Sequence, residues 1–179
     1  QIGNQECREI GIKNDKIFVS CKNHLYKSFD GGKSWQTDSF WDILNSQQTQ
    51  AKIKLNDLPY HIVFDNSGNT VFAASGMSGI YRSKDGGQNW EPVNNGVRTK
   101  FSEKDGVGVS ALVISPSNNN ILYAVAGDYT LIKTENMGDA WQTLQEFTSV
   151  NGLLVNPSDS NQIYLSFAPT VKSSDGGKT

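Results

Sequence analysis

Only two cysteines and five prolines occur in this chain of 179 residues, and its charge is nearly balanced, with 16 Lys and Arg against 18 Asp and Glu for a formal −2. Each scarcity removes a class of function. The basic residues are scattered rather than gathered on one segment, which argues against a phosphate-backbone partner and so against nucleic acid. No apolar run approaches the ~20 residues of a membrane-spanning helix, and no signal-peptide pattern opens the sequence. A helical period of apolar residues is missing throughout.

What the chain does have is glycine and tryptophan, recurring together. Ser28-Phe29-Asp30-Gly31-Gly32-Lys33-Ser34-Trp35 returns as Ser83-Lys84-Asp85-Gly86-Gly87-Gln88-Asn89-Trp90. It returns again as Thr134-Glu135-Asn136-Met137-Gly138-Asp139-Ala140-Trp141, and in short form as Ser173-Ser174-Asp175-Gly176-Gly177-Lys178-Thr179. Self-similarity at tens of residues means stacked units that cannot bury their apolar faces alone.

Each copy follows an apolar strand, such as His24-Leu25-Tyr26-Lys27 or Gly79-Ile80-Tyr81-Arg82, and precedes a second short strand opened by Trp35, Trp90 or Trp141. Glycine supplies positive φ for a hairpin between them. The Ser or Thr hydroxyl and the Asp carboxylate two positions on can both accept turn amides and lock the loop. A metal role fails on numbers, because calcium wants ~6–8 oxygens and each turn offers one carboxylate. Asn136 replaces Asp in the third copy and keeps an acceptor without the charge. No metal and no cofactor is expected.

Two further strands precede each hairpin. Pro59 to Asp65 and Thr70 to Ser75 serve the second unit, Val109 to Ser115 and Ile121 to Gly127 the third, Gly152 to Val155 and Gln162 to Phe167 the fourth. Glu9 to Ile12 and Lys16 to Cys21 serve the first. Turn-rich clusters such as Asn156 to Asn161 separate them. Four short antiparallel strands per repeat describe an all-β chain of β-propeller blades. Their approximate bounds are 6–40, 59–94, 108–145 and an incomplete 148–179.

The eight-residue pattern resembles the Asp-box, or bacterial neuraminidase, repeat. With Asn-Pro-Ser-Asp-Ser-Asn-Gln-Ile-Tyr leading into the last copy, the chain is similar to the sortilin-like, xyloglucanase-like and photosystem-assembly-factor-like propellers. That group mixes glycosidases, receptors and assembly factors, so the resemblance speaks for fold far more than for activity. It implies closed rings of six or more blades, and hence that further blades come from the same polypeptide or another chain. It also implies that the Asp-box hairpins lie opposite the usual binding face.

Cys7 and Cys21 are equidistant from Asn14. A three-residue loop Lys13-Asn14-Asp15 would set them opposite each other for a cross-strand disulfide, and with it an extracytoplasmic location. The other reading is two unpaired, partly buried thiols.

The binding face should receive the blade-to-blade connections and those between second and third strands. Two such loops are long, and long loops in compact domains are commonly functional. One carries Phe40, Trp41 and Asp42, an aromatic pair on which a sugar ring or apolar peptide could stack, unless it folds into a helical turn covering the blade edge. The other carries Arg98, Lys100, Phe101, Lys104 and Asp105, which could meet an acidic partner or remain a solvated loop. Met77, Asp128 and Tyr129 join the same face, and His61 lies near the central channel as a structural histidine. The expectation is a non-catalytic binding or assembly module holding a protein or glycan. The alternative is part of a glycoside hydrolase. A xyloglucanase-like one needs a carboxylate pair ~6.5–9.5 Å apart, for which Asp42, Asp57, Asp105 and Asp128 are the candidates. A sialidase-like one needs an arginine triad, which Arg8, Arg82 and Arg98 supply poorly, since Arg82 abuts the repeated turn.

Overall fold

Fifteen strands form four antiparallel sheets in a computed structural model that describes residues 6–21, 24–42, 59–97, 108–127, 129–166 and 170–179. Blade 1 holds β1 (Cys7–Lys13), β2 (Lys16–Cys21), β3 (His24–Ser28) and β4 (Gln36–Thr37). Blade 2 holds β5 (Pro59–Phe64), β6 (Val71–Ser75), β7 (Ile80–Ser83) and β8 (Glu91–Pro92). Blade 3 holds β9 (Val109–Ile114), β10 (Leu122–Ala126), β11 (Thr130–Thr134) and β12 (Gln142–Glu146). Blade 4 shows three strands, β13 (Gly152–Asn156), β14 (Asp159–Ser166) and β15 (Val171–Ser173). Strands pair in sequence order within every sheet, and the first strands β1, β5, β9 and β13 lie side by side along the inner edge.

Burial explains the composition of the strands. Central strands are covered by a neighbouring blade on both faces, so Val71–Ser75, Leu122–Ala126 and Thr130–Thr134 are buried at every residue; the first two read as near-continuous apolar runs, while the third also buries Lys133 and two threonines. Three apolar layers fill the gaps between blades. Phe18, Leu25, Trp41, Ile62, Tyr81 and Trp90 lie between blades 1 and 2. Phe72, Ile80, Leu122, Ile132 and Trp141 lie between blades 2 and 3, and Tyr123, Leu131, Leu153 and Ile163 between blades 3 and 4. Aromatic rings therefore supply much of the blade-to-blade adhesion.

Cys7 and Cys21 are disulfide-bonded, but by a route different from the expected one. The β1–β2 loop has two residues, Asn14 (φ 54°) and Asp15, because Lys13 pairs with Lys16. That register alone would carry Cys7 one position past Cys21. A bulge between Cys7 and Glu9 takes up one residue, Arg8, and restores the facing pair. A second correction concerns the cluster from Asn156 to Asn161. Its last three residues extend β14, since Asn156 pairs with Asp159, and only Pro157 and Ser158 form the turn.

Candidate functional site

The repeated turns close one face of the blades. In blade 1, Ser28 Oγ donates to Asp30 Oδ1 at 2.8 Å and accepts the Gly32 amide at 2.8 Å, while Asp30 Oδ1 accepts the Ser34 amide at 2.9 Å. Blade 3 repeats this with neutral groups: Thr134 Oγ1 accepts from the Gly138 amide at 3.0 Å, and Asn136 Oδ1 from the Ala140 amide at 3.0 Å. Asp85 and Asp175 hold the other two turns in the same way. The hydroxyl and amide of Ser34, then Ser28, lower the Asp30 carboxyl to about 2. Each turn is also tied to the segment between the first and second strands of its own blade, or in blade 4 to the start of β14: Gly31 N to Asp15 O, Gly86 N to Asn69 O, Met137 N to Asn120 O and Gly176 N to Asn161 O, at 2.7–3.0 Å. These carboxylates are consumed by main-chain donors on what can be called the hairpin face.

The opposite, connection face carries a cleft of about 360 Å³ at the inner edge between blades 2 and 3, lined by Tyr60, His61, Gly76, Gly108, Val109, Ser110 and Gly127. Three connections meet there by backbone contact. The Gly127 amide donates to Gly108 O at 2.6 Å. A Cβ on Gly108 would stand 2.6 Å from Gly76 O, and one on Gly76 would stand 2.6 Å from Cε2 of Tyr60. Side chains at these positions would push the loops apart and fill the cleft.

Tyr60 is its aromatic wall. Arg8, set on the bulge beside the disulfide, donates from Nη1 to Tyr60 Oη at 2.6 Å, with its guanidinium 5.2 Å from the ring centroid. His61 contacts the Ser110 carbonyl through Nε2 at 2.8 Å, which fixes the ring across the junction of β5 and β9. Burial pushes the nearby Glu9 carboxyl above its ordinary value, against the opposing pull of His61 and the Ile62 amide. Among the described residues no carboxylate lines the cleft. An aromatic face rimmed by phenol, guanidinium and main-chain groups can stack on an apolar ring and hydrogen-bond hydroxyls or carbonyls.

The residues singled out by sequence fare differently. Trp41 is fully buried between Tyr81 and Trp90, with centroids at 5.1 and 5.8 Å, so it is core and not a stacking platform. Residues 39–42 wind into a helical turn whose amides at Phe40 and Trp41 are capped by Asp38 Oδ1, and this turn drives the indole inward. Phe40 is half-buried against Tyr81. Asp42 is paired with His24 at 2.8 Å. Tyr129 is exposed on the connection face, with φ 67°. Arg82 is buried and bonded to Glu91, Asp139 and the Met137 carbonyl, a structural role. Arg98, Lys100, Phe101, Lys104, Asp105, Asp57 and Asp128 lie outside the described residues.

Sequence reasoning missed Tyr60 and the three cleft glycines. A tyrosine following Pro59 at a strand start, with single glycines closing the connections at 76, 108 and 127, was the available signal.

Comparison with solved structures supports the propeller fold. The chain superposes on an ancestral GH74 enzyme with a TM-score of 0.69 at 18% identity, covering 97% of this chain and 23% of that one. It matches the GH74 xyloglucanase of Xanthomonas campestris with a TM-score of 0.67 at 16% identity, covering 94% and 26%. It matches YCF48 from Cyanidioschyzon merolae with a TM-score of 0.57 at 15% identity, covering 92% and 52%. The chain thus spans about a quarter of the GH74 structures. No protein-family model and no curated protein matches it. At these identities the likeness establishes the fold alone. Among the described residues no helix is long and apolar enough to cross a membrane.

Proposed function

We propose that this chain is a non-catalytic binding module of the Asp-box propeller type that holds a protein or glycan ligand on its connection face, in the cleft beside Tyr60. The observation that carries the reading is the cleft itself. It sits at the meeting point of three connections, has a built aromatic wall held by Arg8, and lacks a carboxylate among the described residues. The ligand is one with a flat apolar face and hydrogen-bonding edges, which describes both a pyranose ring and a proline- or aromatic-bearing peptide. Phe40 and Tyr129 belong to the same face and extend the contact surface. The Cys7–Cys21 bridge suits an oxidising, extracytoplasmic compartment.

Calorimetric titration with a xyloglucan oligosaccharide and with a proline-rich peptide tests this. Binding of either should fall at least about tenfold in Tyr60→Ala and in Gly76→Leu, which fills the cleft. Affinity for both ligands unchanged by these substitutions overturns the site. The GH74 neighbours motivate a second reading, a portion of a glycoside hydrolase. Release of reducing sugar from xyloglucan, abolished by Asp42→Asn or Asp105→Asn, would replace the binding module with that reading.

A further inference from the structure

The wall of the cleft repeats across three blades. On each inner strand the pairing passes over one residue: Arg8 between Cys7 and Glu9 on β1, Tyr60 between Pro59 and His61 on β5, and Ser110 between Val109 and Ala111 on β9. The three positions are equivalent, because each lies three residues before the partner of a second-strand aromatic, in the pairs Gly11–Phe18, Val63–Phe72 and Val113–Tyr123. A bulge bends its strand and re-aims the extra side chain, and bulges are over-represented beside functional sites. Side chains also join this level from blade to blade, Arg8 Nη1 to Tyr60 Oη at 2.6 Å and His61 Nε2 to Ser110 O at 2.8 Å. The surface is therefore a track crossing blades 1 to 3, suited to an extended ligand rather than to a single ring.

The chemistry of the track is one-sided. Arg8 is exposed and brings several N–H donors, of which Nη1 serves Tyr60. The phenol that accepts from Arg8 keeps its own hydroxyl hydrogen to give. Among the described residues that line the cleft there is no Asp, Glu, Asn or Gln side chain. Such a surface matches a ligand rich in carbonyls and poor in N–H groups. A proline-bearing peptide has that character: each proline lacks an N–H, and a polyproline II segment is already extended and docks its rings against aromatic walls. A sugar hydroxyl both donates and accepts, and so calls for side-chain acceptors that these residues do not offer.

Tyr129 supplies a second aromatic wall. Three non-glycine residues among those described have positive φ, Asn14, Met137 and Tyr129. Asn14 sits in a tight turn, and asparagine tolerates that backbone. Met137 takes a place that is glycine in the other repeated turns, and it packs against the layer between blades 2 and 3. Tyr129, at φ 67°, has no such compensation: it is 40% exposed, and among the described residues no ring or cation packs on it. The corresponding connection of blade 2 uses a glycine, Gly79 at φ 87°. The backbone at Tyr129 is held in place, since its carbonyl accepts the Phe147 amide at 3.2 Å and Thr130 pairs with both Ala126 and Glu146. Strain kept for an exposed side chain points to a contact made with a ligand. Gly127 lines the cleft, and the two residues of chain from there to Tyr129 span at most about 7 Å.

We propose that this track holds an extended, proline-bearing segment of a protein partner, with Tyr60 and Tyr129 as its aromatic walls and Arg8 as the donor to its carbonyls. This rests on the binding-module reading and narrows its ligand to a peptide.

Calorimetry with an oligoproline peptide and with a xyloglucan oligosaccharide, beside urea denaturation of each variant, tests it. The peptide should bind at least about tenfold more tightly than the oligosaccharide. Tyr129→Gly should weaken peptide binding at least about tenfold while its urea midpoint stays at or above the parent's, because glycine takes positive φ without a Cβ clash. Tyr129→Phe keeps the ring and should keep the affinity. Arg8→Met retains an unbranched apolar stem without donors and should weaken the peptide as Tyr129→Gly does. Loss of peptide binding in Tyr60→Ala with full affinity in Tyr129→Gly leaves the cleft standing and overturns the track. Tighter binding of the oligosaccharide leaves the cleft standing and overturns the peptide. A lower urea midpoint in Tyr129→Gly shows that the residue serves the fold and overturns its role as a wall. Binding of neither probe overturns the track and the cleft together.

Discussion

Lys27 and Asp38 form a buried ion pair, Nζ to Oδ2 2.8 Å, at the junction of blades 1 and 2. The same carboxylate oxygen accepts the Trp90 indole N–H from the next blade, and its other oxygen caps the helical turn at Phe40 and Trp41. One side chain thus ties β3, the end of blade 1, the Trp41 core and blade 2 together.

Removing Asp38 leaves the Lys27 ammonium buried against the Gly87 carbonyl without its counter-charge. Asp38→Ala should lower stability by about 3–5 kcal/mol, the usual penalty for an uncompensated buried charge. Asp38→Asn keeps one acceptor oxygen, enough for the two capped amides or for Trp90 but not for both, and should lose less than Asp38→Ala. Urea denaturation checks both. An Asp38→Ala protein within about 1 kcal/mol of the parent would mean that the pair is not what holds this junction.

The disulfide closes a segment with a sequence separation of 14. On loop-closure grounds it contributes about 3 kcal/mol. The Cys7→Ser/Cys21→Ser double variant should therefore unfold at lower urea. It should also weaken ligand binding at the cleft, because the bulge bearing Arg8 loses its anchor while Arg8 holds Tyr60. Thiol titration of the denatured, unreduced parent should find no free sulfhydryl.

How much of this was legible in the sequence depends on what each residue interacts with. The repeated turns were readable because Asp30 and Ser28 act on amides within four residues, so local chemistry suffices. The Cys7–Cys21 pairing was readable for a partly wrong reason, since a shorter loop and a bulge compensate and only their sum is visible in residue spacing. Trp41 stood open between a stacking platform and a helical turn covering the blade edge, and only contact with Tyr81 and Trp90, residues of another blade, decides for the second. The cleft was missed for a related reason. Gly76 and Gly108 matter only through contact with each other and with Tyr60, a nonlocal fit that spacing does not encode. The cations Lys27 and Arg82, each just before a repeated turn, stood in plain sight, and their role emerged only from the carbonyls they reach in the following blade.

Acid should open the hairpin face. Ser34 and Ser28 lower Asp30 to about 2. At Asp85 burial pushes upward but is outweighed by donors from Asn89, Ser83 and Gln88, and at Asp175 the Thr179 hydroxyl leads the downward shift. A carboxyl whose folded pKa lies below its unfolded value contributes stability above the unfolded pKa and loses it as pH falls through the folded one. Stability should therefore decline from about pH 4 down to about pH 2 and be flat above about pH 5. Blade 3, which carries Asn136, has no such carboxylate in its turn. Asp85→Asn should lower neutral-pH stability and flatten part of the decline, so that the variant and the parent converge in acid, as read by urea midpoints across the acid range. An unchanged acid slope would remove the Asp85 turn from the explanation.

The junctions set a sharper test through glycine. Gly87 has φ 91°, and a Cβ there would stand 2.2 Å from Cζ of Phe18, a fully buried ring of the preceding blade. Gly68 has φ 73°, but a Cβ there would meet the Lys13 side chain at 3.0 Å, an aliphatic stem that can yield. Both alanine variants pay the left-handed backbone penalty of about 1–2 kcal/mol. Only Gly87→Ala adds overpacking, about 1–3 kcal/mol more. Pairing Gly87→Ala with Phe18→Leu should recover part of that second component, since the smaller side chain vacates the space the methyl needs. The same change gives Gly68→Ala no relief. Equal losses in the two alanine variants, with no recovery on shrinking Phe18, would show that the turn glycine serves its own backbone and not the ring of the neighbouring blade.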